Sequence, residues 1–110
     1  MITNRTLSDQ VQAHPSPTLP VLLSIEGTSY PAALFSQVGC TDPIETVIEA
    51  GRPGHPGLTA LELLAALNAP AAGDPEGRVQ LWDGEAWFEL GKITTRHRQL
   101  ALVAGPLLAT

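Results

Sequence analysis

Arg78-Val79-Gln80-Leu81-Trp82-Asp83-Gly84-Glu85-Ala86-Trp87-Phe88-Glu89 is the stretch that decides the expected fold. Val79 and Leu81 alternate with Arg78, Gln80 and Trp82, the period of two that marks a half-buried strand. Asp83-Gly84 follows, the dipeptide favoured in the two-residue type I′ turn of a β-hairpin. Such a turn sends Val79, Leu81, Ala86 and Phe88 to the core. Arg78, Gln80, Trp82, Glu85, Trp87 and Glu89 then share the other face, with Arg78 opposite Glu89 and Gln80 opposite Trp87. Both tryptophans of the chain lie in that second set. The return strand is expected over about Glu85 to Ile93, and a last strand over Gln99 to Ala104, after a turn at Thr94 to Arg98.

Moving toward the N-terminus, Thr59-Ala60-Leu61-Glu62 has the form of a capping box. It predicts a helix with Leu61, Leu64, Ala65 and Leu67 on its apolar face. Before it, residues 51–57 are all Gly, Pro, Arg or His, which reads as a linker. The first half shows a similar order. Thr6 with Asp9 predicts a short helix carrying Leu7 and Val11, ended by His14-Pro15-Ser16-Pro17. Val21, Leu23 and Ile25 alternate as a strand, and a two-residue loop at Gly27-Thr28 would pair Leu23 with Ala32. Pro31 in the return strand cannot donate a ladder hydrogen bond, which predicts an edge or a bulge. A third strand is expected over Ile44 to Glu49.

Helix, hairpin and third strand thus occur in the same order twice. The expectation is an α+β fold of two tandem helix-plus-three-strand (αβββ) units, an internal duplication with antiparallel hairpins sharing one core. The units span about residues 5–51 and 58–105 of a single domain over 1–110. Each half is too small to sustain a core alone, so a pseudo-twofold monomer or a homodimer follows.

Composition limits the functions open to this chain. Of its 110 residues 44% are hydrophobic and 15% charged, enough apolar surface for one folded domain. The formal charge of −5 repels phosphate backbones and acidic membrane surfaces, which argues against direct nucleic-acid or membrane binding. Cys40 is the only cysteine, so no intramolecular disulfide forms and a disulfide-stapled scaffold is excluded. With no signal-like apolar run at the N-terminus and no membrane-length apolar stretch, a cytoplasmic location is the default.

No catalytic pattern is visible at a diagnostic spacing. His14, His55 and His97 are far apart, and none has another ligand at helical metal-site spacing. Cys40 reads as a small apolar side chain, and Asp74, Glu76, Asp83 and Glu85 read as turn chemistry rather than a calcium loop. Arg96-His97-Arg98 reads as a solvated turn. No cofactor or metal is expected. The face bearing Trp82, Trp87, Gln80, Arg78, Glu85 and Glu89 carries the functional expectation, because tryptophan concentrates binding energy at interfaces. The expected function is a non-enzymatic interaction module, such as a small regulator, inhibitor or assembly component, with a protein partner or a second copy. Two alternatives are a small-molecule-binding domain or modest enzyme with a pocket between the halves, and an acidic mimic of nucleic acid.

Overall fold

The computed structural model describes residues 1–13, 18–38, 45–52, 54, 56–68, 75–96 and 98–109. The elements run α1 (Asn4–Gln12), β1 (Val21–Ile25), β2 (Thr28–Val38), β3 (Glu45–Ala50), α2 (Ala60–Leu67), β4 (Val79–Trp82), β5 (Trp87–Arg96) and β6 (Gln99–Ala109). The six strands close into one barrel in chain order. Four neighbouring pairs are antiparallel, while β3 with β4 and β1 with β6 are parallel. It follows that β1, β3, β4 and β6 run one way and β2 and β5 the other.

This architecture overturns the expected α+β fold of two duplicated αβββ units. The chain is mostly sheet with two short helices, and no sheet belongs to either half. Hairpin signals in the sequence report antiparallel pairs only. The two parallel pairings that convert strand triplets into a barrel are made without a turn between partners, so they leave no local mark.

Alternation sorts the strands into an inside and an outside. Val21 lies beside Leu100 and Leu23 beside Leu102 across β1–β6. Thr46 lies beside Val79 and Ile48 beside Leu81 across β3–β4, and Leu81 faces Phe88 across β4–β5. All of these are buried, and the apolar ones form a single cluster with Ile25, Ala32 and Leu90. Filling a six-stranded barrel with side chains in this way leaves a packed core rather than a channel. The Thr46 hydroxyl is the exception in chemistry: it is buried there with no hydrogen-bond partner among the described residues.

Both helices cover the end at which β1 and β4 begin. Leu7 and Val11 of α1, with Ala60, Leu63 and Leu67 of α2, complete the same cluster. The chain ahead of each helix is strapped to a strand start. Asn4 N–H donates to the Gly77 carbonyl at 2.9 Å and Val79 N–H to the Ile2 carbonyl at 3.2 Å, while Ala60 N–H donates to Leu19 at 2.8 Å and Val21 N–H to Leu58 at 2.9 Å. Thr3, rather than the expected Thr6, caps α1 by accepting from Thr6 N–H. Thr59 and Glu62 form the expected capping box on α2. The apolar face of α2 differs from the expected one: Leu61 is exposed and Leu63 fully buried, because the helix rolls Ala60, Leu63 and Leu67 onto the barrel.

Residues 51–57 are more than a linker. Gly51 N–H donates to the Pro31 carbonyl and Leu58 N–H to Ala32, both at 2.7 Å, so the described part of this segment is anchored on β2 at both ends. Pro31 sits next to a bulge between Ala32 and Leu34, and closure leaves it no edge to occupy.

Both hairpin registers shift by two residues from expectation. Glu26 and Gly27 are the loop of the first, with φ of 50° and 82°, and Leu23 pairs with Tyr30. Positive φ at both positions defines a type I′ turn. A shift of two keeps Leu23, Leu81, Phe88, Trp82 and Trp87 on their expected faces, whereas a shift of one would have inverted them.

In the β5–β6 ladder, irregularities flank Leu90, and Gly91 meets Gly105 there. A Cβ placed on Gly91 would lie 2.8 Å from the Gly105 Cα, so the two backbones touch where a side chain has no room. Gly91→Ala should therefore lower stability by about 2 kcal/mol, a typical overpacking cost, and reduce the melting temperature by several degrees. Gly27→Asn, at an uncrowded position of left-handed φ that Asn accepts, should cost under about 1 kcal/mol in the same thermal unfolding series.

Candidate functional site

The outer face of β3, β4 and β5 carries Glu45, Val47 and Glu49, then Arg78, Gln80 and Trp82 leading into and along β4, then Trp87 and Glu89. The ladder sets this grouping: Val47 lies beside Gln80, Glu49 beside Trp82, Gln80 opposite Glu89 and Trp82 opposite Trp87. Of the six residues expected to share a face, five are brought together here. Glu85 lies instead in the connecting loop, residues 83–86.

That loop is four residues long and not the two-residue type I′ turn expected from Asp83-Gly84. The Asp83 carboxylate accepts from Glu85 N–H at 2.9 Å and Ala86 N–H at 2.8 Å. These bonds satisfy two loop donors and compete with the tighter turn, as Asp side chains commonly do. The consequence is the register: Trp87 faces Trp82 rather than Gln80. Asp83 N–H also donates to the Ala86 carbonyl, which makes the adjoining Trp82–Trp87 pair a non-hydrogen-bonded one, the kind in which opposed side chains approach most closely. The two indoles stack with centroids 5.2 Å apart and planes within 15° of parallel. Both are half-buried.

One carboxylate holds the base of this face. Glu45 accepts from Arg78 Nε at 2.8 Å on one oxygen and from Gln80 Nε2 at 2.5 Å on the other, bridging β3 to β4 across their four-residue parallel ladder. Gln80 and Val47 are buried although they point away from the barrel interior. Glu45 and Glu49 carry no local signal that links them to this face. Their spacing around Val47 does put them on one face of a strand, but only the parallel β3–β4 pairing carries that face to the tryptophans.

At the opposite, helix-covered end, a polar hollow of about 260 Å³ lies between α1 and α2, lined by Asn4, Arg5, Ser8, Asp9, Asn68 and Pro75 among others. Its Ser8 hydroxyl donates to the Asn68 side-chain oxygen, which is not a base. Among the described residues no group of His, Cys, Asp and Glu could hold a metal ion. Cys40, His14, His55, His97 and Asp74 lie outside the described residues. Among the described residues no helix is long and apolar enough to cross a membrane. No family model, curated protein or solved structure matches this chain.

The backbone donors of Ala86 and Glu85 hold the Asp83 carboxyl below its ordinary value. A depressed folded-state pKa contributes stability that is present above the unfolded value, near 4, and is lost as pH falls through the folded one. Asp83→Ala should thus cost about 1 kcal/mol in urea unfolding at pH 7 and progressively less below pH 4, where the wild type loses the same bonds. Glu45→Ala strands the Arg78 charge and the buried Gln80 amide, and should cost about 2 kcal/mol by the same measurement.

Proposed function

We propose that this chain is a non-enzymatic protein-interaction module that docks its partner on the outer β3–β4–β5 face. The observation that carries the reading is the stacked, half-buried Trp82–Trp87 pair on the outside of a closed barrel. Interior side chains already fill the core, so the barrel does not need these rings for its packing. Two parallel indoles present a broad, rigid, amphipathic surface at low entropic cost, the property that makes tryptophan frequent where interfaces concentrate their energy. The Glu45 bridge and the Asp83 loop hold the platform before any partner arrives, and a preformed surface loses less ordering entropy on binding.

The position of the carboxylates favours this reading over imitation of nucleic acid. Asp9 and Glu62 lie on the helices and Glu26 in the β1–β2 turn, so these three do not extend the acidic set of the β3–β4–β5 face.

Trp87→Ser tests the proposal. The variant should keep the wild-type far-ultraviolet circular dichroism while losing the partner, or the second copy, that the wild type retains in a native mass spectrum after gentle purification from its host. Identical bound mass and identical assembly state in both proteins would refute it. Trp82→Ser should behave in the same way, since it removes the other half of the stack.

A further inference from the structure

We infer that the face built on Trp82 and Trp87 receives an arginine-bearing, basic segment of a partner protein, with a guanidinium laid on the indole pair. The inference rests on the interaction reading above and adds the chemistry of the partner. Three carboxylates border the rings. Glu49 is the neighbour of Trp82 in the parallel ladder, Glu89 lies two residues beyond Trp87 on the same face, and Glu85 sits in the loop that joins the two tryptophan strands.

None of these three makes an ion pair among the described residues. Arg78, the cation next to Gln80 on this face, is already engaged by Glu45. The platform is therefore aromatic at its centre and carries uncompensated negative charge at its margin. A phosphate-bearing ligand would meet repulsion there, whereas a cation would meet attraction from both elements. Arginine suits the site better than lysine. Its planar guanidinium stacks on an aromatic face and still directs N–H groups sideways to carboxylates, while an ammonium is a compact, strongly hydrated charge. A strand face with alternating aromatic and acidic positions would also match an extended segment with cations at every second residue.

Tryptophan fluorescence reports on this site directly, because the protein has no other tryptophan than these two. The probes are a short peptide alternating arginine and glycine, its lysine counterpart, and its citrulline counterpart, which keeps the shape of arginine without the charge. The arginine peptide should give a saturable change in emission, with affinity at least about 5-fold above the lysine peptide and 10-fold above the citrulline one. Raising the salt from about 50 to about 300 mM should weaken it several-fold. The double variant Glu49→Gln, Glu89→Gln, which alters only partly exposed side chains, should lose at least about 5-fold in affinity with its thermal unfolding unchanged.

Absence of a saturable response to the arginine peptide, or an equal response to the citrulline peptide, overturns the inference. Should the double variant still retain the host partner while Trp87→Ser loses it, the face is an interface without cation selection, and only this inference falls. Self-association of the protein alone, abolished in the double variant, would make a second copy the occupant and likewise overturn it.

Discussion

Two short parallel pairings hold this molecule in its form. β1 beside β6 and β3 beside β4 share only four registered residue pairs each. Without them the antiparallel strands would make two separate three-stranded ribbons, each with an exposed edge and an uncovered apolar face. With them there is no edge, and inward positions from all six strands meet in one cluster. The straps ahead of the helices reinforce these places, since Ile2 bonds to the start of β4 and Leu58 to the start of β1. The helices are thereby fixed where Leu7 and Leu63 can close one end of the barrel. Burying each such leucine contributes about 2 kcal/mol, so the straps matter chiefly through the side chains they position.

Closure also determines what is left outside. Once Val79, Leu81, Phe88 and Leu90 point inward, Gln80, Trp82, Trp87 and Glu89 are left on the outer side, where Gln80 is buried and the two indoles are half-buried against each other. Glu45 ties the adjoining parallel strands on their outer side, so the same pairing that closes the barrel also places the acidic residues of β3 beside the aromatic residues of β4. Core and candidate surface are consequences of a single register.

Much of the local structure was legible in the residues. The alternation of Val21, Leu23 and Ile25, the Thr59 and Glu62 capping box, and the common face of Trp82 and Trp87 all depend on neighbours within a few positions. Three features were not legible, each for a physical reason. The Asp83-Gly84 dipeptide favours a tight turn, but the carboxylate of Asp83 bonds two loop amides and selects a longer one. The apolar face of α2 admits two rotations in a helix as rich in leucine and alanine as residues 60–67, and only the barrel chooses Leu63 over Leu61. The parallel pairs join residues far apart in the chain, such as Val21 and Leu100, and nothing near either residue announces the other. That last gap is why the local pattern points to two tandem α+β units rather than a barrel, and why nothing near Glu45 or Glu49 marks them as neighbours of the tryptophans.

The pairing of Ile2 with Val79 and of Val21 with Leu100 has a consequence for how the chain reaches its native state. Neither contact can form until most of the polypeptide is available, so until then the first strand has only β2 beside it and the first helix lacks its strap to β4. Their apolar residues must wait, and closing such long loops before any reward is gained is what slows proteins dominated by distant strand pairs. The barrel thus closes only once β6 is present, and the N-terminal strand depends for its second neighbour on the C-terminal one having arrived.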